Sequence, residues 1–209
     1  MKSKMTVSWA RWSVIILWAI VAVGCTSYLD HDKYLAYLND PEHGLTQTQQ
    51  VNGVSITCGY RPIDLLVSQE LANQAADPLP LNPDSVRQTF RDKQYLTLSL
   101  SRDGAEVENL LIRNELAFGQ AISYLSNGIA QDVFLHGLGQ PDSVAAIAAT
   151  YPRQYGNTGR STVLLVFAAP QLDATRGFTV TYRDTHFNLG QTRFVFLPQD
   201  VQRLPRLDM

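Results

Sequence analysis

The chain of 209 residues is long enough for one domain of ordinary size with its own hydrophobic core. Hydrophobic residues make up 45% and charged residues 17%, with a net charge of −2, which excludes a disordered polyelectrolyte and a strongly basic nucleic-acid binder. Two cysteines in the whole chain exclude a disulfide scaffold.

The N-terminus reads as a secretory leader over residues 1–24. Lys2, Lys4 and Arg11 give the positive start, Ser13 to Val23 the apolar stretch, and Gly24 a small residue before Cys25. Ala22-Val-Gly-Cys25 resembles the lipobox of bacterial lipoproteins, with Ala where Leu is usual. That resemblance implies cleavage before Cys25, diacylglycerol on its sulfur and a mature chain bearing three acyl groups. Several acyl chains hold a protein stably, because each buried CH₂ contributes about 0.8 kcal/mol. The competing reading is an uncleaved signal anchor from about Trp12 to Leu29, which has to bury Thr26 and Ser27. Thr26 stands where an Asp favours the inner membrane, so the expected location is the outer membrane. Without the leader, 17 basic residues become 14 against 19 acidic ones, a charge of −5. From Tyr151 onward the balance reverses, with seven Arg against four Asp. Neither half suggests nucleic acid as a partner.

Residues 25–31 are the expected lipidated tether and 32–209 the domain. Tyr34, Leu35 and Leu38 have helical spacing, with Asp30 or Asp32 as cap and Asp40-Pro41 as stop. Asn52-Gly53 between Val51 and Val54 predicts a two-residue hairpin turn. Its register sets Val51 against Val54, Gln49 against Ile56, Gln47 against Cys58 and Leu45 against Tyr60, which turns Cys58 inward as a small buried hydrophobe. A helix follows Pro62, with Ile63, Leu66, Val67 and Leu71 on its apolar stripe. Residues 77–81 form a Pro-rich connector, and Asn82-Pro83 starts a short helix to about Asp92. Tyr95 to Ser101 alternates as a strand, and Arg102-Asp-Gly104 turns the chain toward a second strand through Val107. Leu111, Phe118, Ile122 and Leu125 mark one longer helix, ended by Asn127-Gly128.

Strands are then expected near 129–136, 143–150, 161–168, 178–182 and 192–197, with Gly, Pro and Asn between them. No repeat or interdomain linker is visible. The fold class that follows is α+β: one domain with an antiparallel sheet, three to four short helices and a β-rich C-terminal half. The runs Tyr37 to Leu45, Val51 to Thr57, Tyr60 to Leu65 and Phe194 to Pro198, with Cys25 and Leu204-Pro205, resemble lipoproteins of Gram-negative bacteria that have no established activity. The likeness spans most of the mature chain and implies an anchor and a single domain, not a chemistry.

Signatures of chemistry are weak. His31, His43, His136 and His186 are well separated, and Asp30-His-Asp32 is the densest ligand group, more simply read as a solvated helix cap; no metal and no cofactor are expected. Gly137-Leu-Gly139 reads as a turn, since Pro141 follows where a phosphate-binding helix must begin. No nucleophile elbow is present. Carboxylate pairs can be drawn from Glu106 with Glu108 or Glu70 with Glu115, but Glu106 and Glu108 read as solvent-facing charge on one strand face. No catalytic residue is assigned.

One segment reads as a binding loop. Tyr151, Arg153, Tyr155 and Arg160 gather between two expected strands, and such residues are over-represented where partners are held. The plain alternative is a hairpin loop whose tyrosines fold back on the core. Arg183, Asp184 and His186 could share that end of the sheet. Three functions remain open: a non-catalytic accessory or structural subunit with an envelope protein partner; a small-ligand or glycan binder with a sheet-end pocket; and a cell-wall or polysaccharide hydrolase. A broad apolar patch points to the first, an apolar pocket at Tyr151 or Tyr155 to the second, and a deep cleft with two carboxylates to the third.

Overall fold

A computed structural model describes residues 28–74 and 82–209. The leader, Cys25 and the Pro-rich connector lie outside the described residues. The chain folds as an α+β domain of antiparallel sheets and short helices, with strands dominating after Val133.

β1 (Tyr28–Leu29), within the segment expected as tether, pairs in parallel with β12 (Arg206–Leu207) near the C-terminus. α1 (His31–Asn39) starts at Asp30, whose side chain accepts the Lys33 N–H, and buries Tyr34 and Leu38. β2 (Thr46–Val51) and β3 (Val54–Tyr60) form the expected hairpin in the expected register, and the Tyr60 N–H donates to the Leu45 carbonyl. Asn52 (φ 50°) and Gly53 (φ 77°) both take the left-handed conformation that this turn requires. α2 (Ile63–Asn73) follows with Pro62 as its N-cap, and α3 (Pro83–Phe90) is capped by Asn82.

β4 (Lys93–Arg102) pairs with β3, with β5 (Ala105–Glu106) and with β9 (Ser161–Ala168). The strand expected through Val107 ends at Glu106, and Val107–Leu111 coils into a one-turn 3-10 helix. The single long helix expected over Leu111 to Leu125 is also divided. Asn114 accepts the Ala117 N–H and so starts a separate helix, α4 (Glu115–Ser123), which widens into a π turn over Tyr124–Gly128. Ile129–Asp132, expected as strand, is another 3-10 turn, and β6 (Val133–Gly137) begins only after it.

The strand expected over 143–150 is two pieces, β7 (Val144–Ala145) and β8 (Ala148–Thr150), because the chain crosses there from one sheet to the other. β7 pairs with β6, β8 pairs with β9, and between them the Ala146 N–H reaches Val133 while the Ile147 N–H reaches Val166. β10 (Phe178–Arg183) pairs with β6 and with β11 (Gln191–Phe196). α5 (Pro198–Gln202), opened by Pro198, is one helix more than expected.

The larger sheet runs β2-β3-β4-β9-β8 and the smaller β11-β10-β6-β7. Their outer edges, β2 and β11, meet through side chains. Gln47 donates to the Val195 carbonyl at 2.7 Å and accepts its N–H at 3.3 Å, Gln49 donates to the Arg193 carbonyl at 2.6 Å, and Asn52 to that of Asn188 at 2.8 Å. With the crossing at Ala146 on the opposite side, the two sheets are joined at both margins and close into a barrel-like arrangement. Its interior is filled by Ile56, Leu98, Leu165, Val180 and Phe194, with the rings of Phe178 and Phe196 stacked at 4.6 Å. Cys58 lies in this core, fully buried.

Candidate functional site

The loop that joins β8 to β9 carries the four candidate binding residues, and it is held down by two carboxylates that sequence reasoning placed in solvent. Glu106 and Glu108 are 1% and 0% exposed. The period-2 strand pattern that would have turned them outward stops at Glu106, where the chain coils, and the returning loop covers them. Glu106 accepts the Gly156 N–H at 2.9 Å, Asn109 Nδ2 at 3.2 Å and Thr158 Oγ1 at 3.4 Å. Glu108 accepts hydrogen bonds from the hydroxyls of Tyr151 and Ser161. Ser161 Oγ in turn accepts the Val107 N–H at 3.0 Å.

Buried carboxylates need partners for their lone pairs, and here neutral donors supply them without a cation. None of the ion pairs among the described residues includes either group. Burial, and then the bond to Glu108, raise the pKa of Tyr151 far above the ordinary tyrosine value. Gly159 seals the cover: an added Cβ there would sit 2.5 Å from the Gly104 carbonyl oxygen. Both carboxylates are therefore engaged in fixing the loop. Of the other pair considered, Glu70 bonds Gln74 at the end of α2, and Glu115 stands exposed in the first turn of α4.

The four loop residues divide by role. Tyr151 points inward to Glu108. Arg153 lies between two rings, 4.9 Å from the Phe118 centroid and 4.5 Å from that of Tyr155, with its Nε buried and unpartnered. Tyr155 has a positive φ of 55° and is 73% exposed. Arg160 is exposed at the far end of the loop and lines a trough on the outer face of the larger sheet.

The 3-10 turn and α4, which both touch the loop, expose apolar side chains that the sequence pattern did not single out. Leu110 and Ile112 project from the 3-10 turn and Leu116 from the first turn of α4; Ile112 is 63% and Leu116 72% exposed. α4 reads Glu-Leu-Ala-Phe-Gly-Gln-Ala-Ile-Ser, yet only Ala121 in it is fully buried. The stacked Phe118, Arg153 and Tyr155 link this helix to the loop.

Arg183, Asp184 and His186 do not join the loop; among the described residues no hydrogen bond connects them to it. Arg183 lies over the Phe134 ring at 4.7 Å, and His186 stacks on Tyr124 at 4.9 Å. Asp184 accepts the Tyr182 hydroxyl at 2.8 Å and the N–H groups of the turn that follows. Tyr124 donates to Asp132 at 2.8 Å, so the π turn is tied to the start of β6. His31 bonds Ser68 Oγ at 2.9 Å beside the cap of α1.

Clefts of a few hundred Å³ lie between α2 and α3, beside Tyr124 and His186, at the end of β6 and on the outer sheet face. Another, of about 370 Å³, has Asp64, Arg87 and Lys93 among its lining residues. Tyr151 and Tyr155 line none of these. No known protein family, curated protein or solved structure matches the chain.

Proposed function

We propose that the protein is a lipid-anchored envelope lipoprotein, held at the outer membrane by acyl chains on Cys25, that acts as a non-catalytic accessory subunit through contact with another protein. The observation that carries the subunit reading is the exposure of Ile112 and Leu116, on elements that touch the loop, together with that of Tyr155. Isolated apolar side chains on a surface are ordinary, but Leu110, Ile112 and Leu116 are all exposed within one short stretch of chain, next to a loop that exposes Tyr155, and together they have the composition of a contact surface. The loop is also pre-organised by Glu106 and Glu108, so little ordering entropy is lost when it docks.

The anchor reading rests on the leader and on Cys25. Tyr28, three residues beyond that cysteine, is already paired to Arg206 in β1 and β12. Three residues of extended chain reach roughly 10 Å, so acyl groups on Cys25 would hold the domain against the headgroups. Tyr28 and Arg206, whose side chains bond at 3.1 Å, would then face the interface.

The test has two arms. Cys25→Ser should abolish fatty-acid labelling; persistent labelling would remove the anchor. A photo-crosslinking amino acid at Leu116 should give one discrete protein adduct in membranes, and Ile112→Glu should suppress it. Crosslinks to lipid alone would replace the subunit reading with membrane docking, and no adduct at all would end it.

A further inference from the structure

The outer face of the larger sheet carries an unusual floor of hydroxyls. The strand register sets Thr48 against Thr57, Thr57 against Ser99, and Ser99 against Thr162, a row of four hydroxyls across β2, β3, β4 and β9. Ser55 and Ser101 form a second row, and Thr46 and Thr97 flank Gly59 in a third. Solvent-facing strands commonly alternate with Lys and Glu; between these rows there is none. Most of the floor, all but Thr97 and Thr162, is sunk into a trough of about 280 Å³ that Asn39, Pro41 and Arg160 also line. Ser99, although on the outer face, is only 8% exposed.

These hydroxyls keep hydrogen-bonding capacity in hand. Thr48 and Thr57 bond each other at 2.8 Å, as do Ser99 and Thr162. A hydroxyl has one donor and two acceptor sites, so each such pair leaves one O–H free to donate. Ser55 accepts from Gln50, which leaves its own O–H free as well. Two donors therefore lie along a row that crosses four strands, a span of roughly 14 Å at ordinary strand spacing, and a third lies in the row beside it.

Positive charge borders the floor without a counter-ion. A Cβ added to Gly59 would meet Thr97 Oγ1 at 2.9 Å, Thr46 Oγ1 at 3.1 Å and Arg61 Nη2 at 3.3 Å. The Arg61 guanidinium therefore lies on the same face, over the gap that glycine leaves. Its Nη2 donates to Asn39 Oδ1 at 3.2 Å, while its Nη1 is buried and has no hydrogen-bond partner. Neither Arg61 nor Arg160 is paired with a carboxylate among the described residues. A charged guanidinium nitrogen buried without an acceptor is an unfavourable arrangement that an anionic ligand would relieve.

We propose that this trough binds an anionic glycan, a polyhydroxylated chain that carries carboxylate or phosphate groups. The hydroxyl rows and Asn39 take its hydroxyls, and Arg61 and Arg160 take its charge. A free phosphate is too small to use the row, and a neutral sugar supplies no anion to Arg61 or Arg160. The assignment rests on the trough alone and does not depend on the apolar surface around Leu116.

The experiment is calorimetric titration of the full chain in detergent with three probes of matched length: an oligogalacturonate, a phosphorylated dextran fragment and the neutral dextran fragment. Saturable binding to one or both anionic probes is expected, at least about tenfold tighter than to the neutral one, since a charge-assisted bond to arginine changes affinity by about tenfold or more. The tighter of the two anionic probes identifies the charged group. Arg160→Gln and Thr57→Val should each weaken that binding several-fold, with the circular dichroism of the fold retained. Arg183→Gln, on the other sheet, should leave it unchanged. Failure of both anionic probes to saturate, equal binding of the neutral probe, unchanged affinity in the two trough variants, or an equal loss in Arg183→Gln would each overturn the proposal.

Discussion

The Tyr151 hydroxyl donates to the Glu108 carboxylate across 43 positions of chain, and this bond fixes where the loop after β8 lies. Tyr151→Phe removes the donor and leaves a buried carboxylate oxygen unsatisfied, at a cost of about 1–3 kcal/mol. Glu108→Gln should be tolerated no better, because an amide offers an N–H where both hydroxyls need an acceptor. Denaturant unfolding of the single and double variants checks this. Strong coupling between the two positions is the expected result, and additive losses would mean that the bond contributes nothing as a pair.

The seam between β2 and β11 makes a separate prediction. Gln47→Leu deletes both side-chain bonds to Val195 and leaves that N–H and carbonyl without partners, while Gln49 and Asn52 still bridge the edges. Amide hydrogen exchange at Val195 should accelerate markedly, with a smaller effect at Phe178 in β10. Unchanged protection at Val195 would mean that the barrel is not closed by this glutamine.

Gly53→Val tests the hairpin. Gly53 sits at φ 77°, where a β-branched side chain is strained, and an L-residue in the left-handed region costs roughly 1–2 kcal/mol. A fall of that size in unfolding free energy is expected. A variant that melts like the parent would show that the turn can relax to another type without loss.

This hairpin was legible because everything that specifies it is local: a two-residue Asn-Gly turn and a period of two on either side. The inward placing of Cys58 and the caps at Asp30 and Asn82 were readable for the same reason. Failures came where a distant segment decides the outcome. Glu106 and Glu108 look solvent-facing until the loop around Gly156, 50 residues later, covers them. Residues 143–150 read as one strand because an apolar run without Gly or Pro continues through them; only the positions of β6 and β9 explain why the chain changes sheets at Ala146. The hydroxyl trough was half visible, in the alternating Ser55 and Thr57 and in Thr97, Ser99 and Ser101. The register that aligns them across β3 and β4 is a tertiary fact. Of the expected binding residues, Arg160 lines this trough and the exposed Tyr155 does not, a division no local pattern records.

The thiols give a test that bears on both the core and the anchor. Burial pushes the Cys58 thiol up from 9.0 to about 12, with the Arg61 charge opposing it weakly. A folded pKa above the unfolded one means that the folded protein holds its proton longer. The stabilisation is therefore complete below pH 9 and is lost as pH rises from about 9 to about 12. Buried Tyr34, Tyr60 and Tyr182 add in the same direction above pH 10. The thiolate is the reactive form, and at pH 8 it is roughly one part in ten thousand for such a group. Protein purified from membranes and treated with a thiol-specific reagent at pH 8 should therefore show no rapid reaction at Cys58 while folded. After unfolding it should show one thiol if Cys25 carries diacylglycerol on its sulfur, and two if Cys25 is free. Two thiols in denaturant would remove the lipid anchor from the proposed function, whereas a fast-reacting Cys58 in the folded protein would contradict its place in the barrel core.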